Sequence, residues 1–531
     1  MSILLDPPVQ RADVTRAEPR RFLGRSIDFW ICATLVIAVV IVQAWNIADY
    51  PTVSDDEGTY LAQAWALQHG IGLAPYTYWY DHPPFGWMQI AALSWIPALI
   101  FHGHQLLVVG YARIIMLPVT AVSAILVYVL AKRLTLPRWA AALAVVCFGL
   151  SPLSVTLQRE VFLDNFAVLW LLAAFVLAYS PRKHLWHHVA AGVCAALACL
   201  SKETALIAVP ALVVALWQNV HHATRRYSFV GFAGAFILVG IQYPLYAVLR
   251  GELFEGNGHV SLIGGVLYQI ERPGSGSIFA SSSNSYTIFH SWLYYDPLLI
   301  VGGVAATLIA LAFRHLRPVA IAAVLLTLVA MRPTGYLPAM YVIQVLPFFA
   351  LVIAGVADRL VALITAYRAR PVRWEQGARF LVVALIAAAA AFYVVPKWYH
   401  GDRTADTADP NAGYQAAATW VADHIKPTKN TRIVVDDGLW LNMAEDGFNG
   451  SHHDIYFFKL DLDPAVMANS SLPGPTADKW KDLDYIVSTP YLRQNAVSLP
   501  TLVTALAHTR VLASFGSGAN VIQVLQVVPG S

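Results

Sequence analysis

The sequence predicts a polytopic α-helical membrane protein carrying a mixed α/β domain at its C-terminal end. Three observations predict it. The chain has 531 residues, of which 57% are hydrophobic and only 13% charged, more apolar than a soluble protein of that length. Apolar runs of roughly 16–21 residues, enough to cross a bilayer as helix, recur along most of the chain. Beyond Pro396 these runs shorten and turn residues multiply. The net charge of +3 excludes little. Cys32, Cys147, Cys194 and Cys199 all sit inside apolar runs without CxxC spacing and read as small core residues.

Basic residues order the spans. Arg11, Arg16, Arg20, Arg21 and Arg25 precede the first run, so residues 1–28 form a cytoplasmic arm and Phe29–Ala48 is an uncleaved anchor running outward. Residues 49–105 are then a first outer loop. Within it, Gly86–Phe101 reads as a helix on the membrane surface, with Trp87 and Trp95 at headgroup level. Leu106–Ala131 returns to Lys132, Arg133 and Arg138, Trp139–Leu157 goes out, and Val161–Tyr179 comes back to Arg182 and Lys183. Leu185–Leu200 and Ala205–Trp217 read as a hairpin around Ser201-Lys202-Glu203-Thr204, since one long helix would bury a lysine and a glutamate at roughly 3 kcal/mol each. Phe229–Leu249 leads to an outer loop at 251–295, whose glycine and serine content predicts mobility. Leu298–Phe313, Val319–Met331, Ala339–Val356 and Phe380–Val395 complete about eleven spans. The transmembrane region is thus 29–395, and 396–531 forms an extracytoplasmic α/β domain of about 130 residues. In that domain Ala412–His424 reads as helix, Arg432–Val435 and Tyr485–Val487 as strands, and Val511–Phe515 with Val521–Val528 as a hairpin. Asp436, Asp437, His452 and His453 are its most reactive-looking side chains. Paired histidines without a spaced third ligand read as loop residues rather than a metal site.

Chemistry collects on the outer side. The stretch from Ser54 to Gln89 opens with Asp55, Asp56 and Glu57 and closes with Asp81, His82 and two prolines. Acids gathered at a bilayer boundary are costly, which points to chemistry. Lone cations mark three outward turns: Arg159 in QREVFLDN, Lys202 in SKET and Arg332 in MRPTGY. Such cations suit an anionic lipid headgroup; snorkelling, or pairing with the nearby acids Glu160, Asp164 and Glu203, is the alternative. Asp164 lies in the apolar run VFLDNFAVLW, where it either orients Arg159, faces the first outer loop or fixes helix packing.

DDEGTY at 55–60, YDHPPFGW at 80–87, REVFLDN at 159–165, LSKE at 200–203 and RPTGYLPAMYVIQVLPFFAL at 332–351 resemble, in that order, the GT-C superfamily of membrane glycosyltransferases. The likeness is to the branch holding protein O-mannosyltransferases and the lipid A aminoarabinose transferase, over about residues 28–357. The resemblance implies a polyprenyl-phosphate sugar donor, an outward-facing site and an essential acid in the first outer loop. It places that acid on Asp56, with Asp55, Glu57, Tyr60, Asp81, His82, Arg159, Asp164, Lys202, Glu203, Arg332, Tyr336 and Tyr341 as donor- or acceptor-binding candidates. Where the aminoarabinose branch has a Glu-Lys pair before the proline, this chain has Asp81 and His82, which leaves the sugar open between mannose, arabinose and others.

The expected reaction is glycosyl transfer to a hydroxyl of a glycan, glycolipid or protein, with Asp56 as general base and the cations, or a protonated His82, facing the leaving phosphate. No cofactor is required by this reading; Asp55, Asp56 and Asp81 are candidates to hold a divalent Mg, Mn or Ca ion. The expected setting is a bacterial plasma membrane, without a nucleic-acid partner. A transporter or flippase of a lipid-linked molecule is the alternative from another class, and a hydrolase using Asp56 and Asp81 is a third.

Overall fold

The computed structural model describes residues 21–22, 24–71, 80, 82–101, 107–255, 261–331, 335–365, 373–428, 430–448, 454–457, 459–462 and 476–529. Asp81, Arg332, His452 and His453 lie outside them.

Most of the chain is a helical bundle. Its elements are α1 (Ile27–Ala44), α2 (Asp55–Gln68), α3 (Phe85–Leu93), α4 (Val108–Arg133), α5 (Arg138–Gly149), α6 (Pro152–Arg159), α7 (Leu163–Ala178), α8 (Leu185–Ser201), α9 (Glu203–Asn219), α10 (His222–Leu249), α11 (Leu262–Glu271), α12 (Asn284–Tyr295), α13 (Leu298–Ala310), α14 (Arg317–Ala330), α15 (Ala339–Thr365) and α16 (Arg373–Thr407). By length and hydropathy, five helices in the described residues can cross a membrane: α1, α4, α10, α15 and the run that begins in α16. The pairs α5–α6 and α12–α13 do so jointly, bent by 57° and 101°. The sharper bend is anchored by Asp296, which accepts hydrogen bonds from the Leu299 amide at 2.9 Å and from Ser151 Oγ at 2.6 Å. The helices α7, α8, α9 and α14 are apolar but shorter. Close helix packing uses small residues: a Cβ on Gly192 of α8 would lie 2.2 Å from the Phe232 carbonyl oxygen of α10. Of the cysteines, Cys147 is buried and the others partly so, all free thiols.

The break in Ser201–Thr204 is real: Lys202 is extended (φ −151°, ψ 120°) between α8 and α9. The segment 251–295, whose composition predicts mobility, is built around helices in its described residues. It holds α11 and α12, and α12 is N-capped by Ser283, which accepts from the Tyr286 amide at 3.0 Å. The serine-rich run supplies a cap, and the aromatic run behind it packs, with Trp292 buried and donating to the Ala339 carbonyl at 2.9 Å. Helix α16 continues past Pro396 to Thr407, so a domain boundary at 396 falls inside a helix.

Beyond it come α17 (Ala412–His424), β1 (Ile433–Val435), α18 (Asp437–Glu445), β2 (Asp454–Tyr456), β3 (Tyr485–Ser488), α19 (Pro490–Asn495), β4 (Thr509–Phe515) and β5 (Ile522–Val527). The strands form one sheet in the order β2-β1-β3-β5-β4. β1 pairs parallel with β2 and β3, while β5 runs antiparallel to β3 and β4. The β-branched run Ile433–Val435 is fully buried, as expected of a central parallel strand. Asn411 joins this part to the bundle. It donates to the Asp49 and Pro51 carbonyls at 2.9 and 2.8 Å and accepts from the Val53 amide at 3.0 Å.

Candidate active site

The first turn of α2 carries Asp55, Asp56 and Glu57 behind a Ser54 capping box, a placement favoured by the positive end of the helix dipole. Successive helical side chains point about 100° apart, so the three acids face three environments.

Glu57 turns into the bundle. It is 0% exposed, as is Arg113 of α4, which donates from Nε at 2.9 Å and Nη2 at 2.6 Å. The Val161 amide also donates to Glu57, at 3.0 Å. Arg113 spends its remaining donors on the Pro51 and Thr52 carbonyls at 2.7 and 3.4 Å. A carboxylate so enclosed ties α2 to α4 and to the chain leading into α7.

Asp55 turns toward the C-terminal part, where Tyr491 donates to its Oδ2 at 2.5 Å. Burial and the neighbouring Asp55 and Asp437 charges push the Tyr491 phenol far above its usual range, so it remains a donor.

Asp56 faces the remaining side. Burial and the Asp55 charge push its carboxyl up to about 6, against the opposing influence of Lys202, His82 and a hydrogen bond from Tyr60. Tyr60, four residues on and thus on the same helix face, is linked to Lys202, whose Nζ donates to its hydroxyl at 3.4 Å. Lys202 Nζ also lies 2.8 Å from His82 Nε2, and Glu203 Oε2 lies 3.0 Å from His82 Nδ1. An ammonium only donates, so Nε2 accepts and Nδ1 carries the hydrogen that Glu203 receives. His82 thus stands between Lys202 and Glu203. Asp164 sits 3.9 Å from Lys202, beyond hydrogen-bond range, and its Oδ1 accepts from Gln344 at 2.7 Å. Gln344 reaches Thr204 as well, at 2.5 Å. One connected set thus joins α2, α7, the α8–α9 break and the first turns of α15.

Tyr336, 37% exposed, lies beneath Arg272, whose guanidinium carbon stands 3.8 Å from the ring centroid; both Asp55 and Asp56 act on its phenol. Tyr341 is buried. Directly after Tyr341, from Val342, the chain enters the wall of an apolar groove of about 380 Å³. Trp292, Phe289, Val304, Val342 and Phe349 line it, and it lies among the α12, α13, α14 and α15 helices.

Arg159 is not in the set. It is 0% exposed, donates to the Val42 carbonyl at 2.8 Å and the Ala405 carbonyl at 3.2 Å, and faces Asp406 at 3.6 Å. It ties α1 and α6 to α16, and Asp164 does not orient it. Asp436 and Asp437 are also buried; Asp436 caps α18, accepting from the Leu439 amide at 3.2 Å. Among the described residues no group of three or more His, Cys, Asp or Glu is placed to hold a metal ion. Sequence reasoning missed Arg113, Gln344, Arg272 and Tyr491. The first two had a signal, each being a polar residue inside an apolar run, the criterion that singled out Asp164.

Residues 81–243 match the model of the dolichyl-phosphate-mannose-protein mannosyltransferase family. A search of curated proteins found no match. The fold is similar to that of ArnT from Cupriavidus metallidurans bound to undecaprenyl phosphate. That comparison gives a TM-score of 0.56 at 14% identity, covering 95% of this chain and 99% of that one. The apo state of the same protein gives 0.52 at 15% identity, covering 93% and 97%. The apo oligosaccharyltransferase of Archaeoglobus fulgidus gives 0.51 at 12% identity, covering 87% and 70%. The chain therefore carries the fold of the GT-C membrane glycosyltransferases, the superfamily its motifs resemble.

Proposed function

We propose that the protein transfers a sugar from a polyprenyl-phosphate donor to a hydroxyl acceptor, with Asp56 as general base. The observation that carries the reading is the juxtaposition of Asp56 with Lys202 through Tyr60, in a chain with the GT-C fold. A carboxyl near 6 is mostly ionised at neutral pH, yet holds a proton better than an ordinary aspartate, which suits a base. In the proposed step the acceptor oxygen attacks the anomeric carbon and its proton passes to Asp56. The bond from that carbon to the phosphate oxygen breaks, and its electron pair leaves with the lipid phosphate. Lys202 meets the growing negative charge with the N–H that His82 and Tyr60 do not use. Arg272, over Tyr336, on whose phenol Asp55 and Asp56 act, is a second cation for that phosphate. The apolar groove takes the lipid chain, in keeping with the undecaprenyl phosphate of the Cupriavidus protein.

On this reading the eleven-span arrangement puts the acid helix and the C-terminal part on the extracytoplasmic face of a bacterial plasma membrane, with a glycan, glycolipid or protein as acceptor and mannose or arabinose as the sugar. Asp55, Asp56 and Asp81 remain candidates to hold a divalent ion only by the chemistry of carboxylate oxygens, and transfer tested with and without a chelator decides whether one takes part. The transporter alternative gains nothing from the comparisons. The test uses purified protein in detergent with undecaprenyl-phosphate mannose or arabinose and an envelope extract as acceptor, following release of lipid phosphate. The wild type turns over one donor, and Asp56→Asn folds but does not. Turnover by the variant removes Asp56 from the mechanism.

A further inference from the structure

The C-terminal part meets the acid helix along the carboxyl ends of two neighbouring parallel strands. β1 and β3 pair in parallel, Ile433 with Tyr485, and each runs straight into a capping residue and a helix. After β1 comes Asp436, which caps α18; after β3 comes Thr489, which accepts from the Leu492 amide at 3.2 Å and caps α19. The caps are joined to each other. Thr489 Oγ1 donates to Asp436 Oδ2 at 2.6 Å, and Tyr414 donates to the same oxygen at 2.9 Å. Asp436 is 2% exposed and Thr489 0%, so α18 and α19 are held in one fixed relation. α18 then docks on α2 so closely that a Cβ on Gly58 would lie 1.9 Å from the Asp437 carbonyl oxygen. Trp440 meets Trp65 of α2 edge-on at 5.6 Å. From this platform Tyr491, braced edge-on by Phe457 at 5.7 Å, extends its hydroxyl to Asp55.

We propose that Tyr491 is a positioning residue of the transfer site: its hydroxyl holds the Asp55 carboxylate in one orientation, so the C-terminal part completes the acid pair on α2. The inference rests on the reading of Asp56 as the base. Two adjacent carboxylates offer an incoming hydroxyl two rival proton acceptors. The second contact of Asp55, from Ser54 Oγ at 3.3 Å, is long and local and does not hold the group alone. With Oδ2 engaged by Tyr491, Asp55 is turned away and the proton has one destination.

Tyr491→Phe removes only the hydroxyl. It lowers kcat about tenfold, the scale of one lost hydrogen bond, while KM for donor and acceptor and the thermal midpoint in detergent stay at wild-type values. Asp55→Asn keeps measurable turnover, and adding Tyr491→Phe to it costs nothing further, because the group being oriented is gone. Wild-type kcat in Tyr491→Phe overturns the proposal. So does an equal loss in the Asp55→Asn background, a fall that tracks a lower midpoint, or an Asp55→Asn protein without turnover. Failure of the general-base reading shows separately, as activity in Asp56→Asn.

Discussion

Glu57→Ala tests whether neighbouring acids on one helix turn have separate jobs. The substitution removes both hydrogen bonds from Arg113, at 2.9 and 2.6 Å, and the bond from the Val161 amide at 3.0 Å. Arg113 stays fully buried with hydrogen bonds to the Pro51 and Thr52 carbonyls and only the more remote charges of Glu160 and Asp49 acting on it. Breaking a buried pair by deleting one partner costs about 3–5 kcal/mol, because an uncompensated charge is left behind. Taking ~2 °C per kcal/mol, the low end for large domains, the midpoint falls by about 6–10 °C. The assay is the fraction of protein that stays monodisperse on size exclusion after heating in detergent, at one fixed heating rate because such unfolding is irreversible. Replacing both partners with leucine recovers most of the loss, since an apolar pair of similar volume needs no desolvated charge. Asp56→Asn serves as the contrast, melting within about 2 °C of wild type, the scale of a near-isosteric substitution costing about 1 kcal/mol. A Glu57→Ala protein that melts like wild type but has lost turnover would refute the assignment and move Glu57 into the chemistry.

Two further outcomes follow from the same geometry. The Asp56 carboxyl is raised to about 6, and a base must be ionised, so kcat/KM is full above that value and falls as pH drops through it; an acidic limb near 4, measured with wild-type enzyme, would contradict the buried setting. Arg159→Met loses two charge-assisted hydrogen bonds to backbone carbonyls, about 1.5–3 kcal/mol each. It lowers the melting midpoint while leaving turnover per folded molecule unchanged, and a selective loss of turnover would return Arg159 to the site.

Much of this was legible from the chain alone because it depends on short-range properties. Hydropathy over a window reports cost in lipid, so the helical bundle and the change of composition toward the C-terminal end could be read directly. The same logic flagged Asp164 and Lys202, polar groups where lipid penalises them, and applied evenly it would also have flagged Arg113 and Gln344. At 251–295, where serine-rich composition suggested mobility, a serine cap and an aromatic face form helix. The partners of Arg159 and Glu57, Asp406 and Arg113, were not legible for one reason: they are distant in sequence, and no local pattern names a partner.

The sequence by itself determined that acids and lone cations would gather beside apolar helices, since each residue's own solvation cost sets where it is tolerated. Only the tertiary structure decided how the three acids divide. Helical phase turns Glu57 into the bundle, Asp55 to Tyr491 and Asp56 to Tyr60 and Lys202. The contacts that assign those roles span dozens to hundreds of residues and exist only once the bundle and the sheet have packed against the same helix.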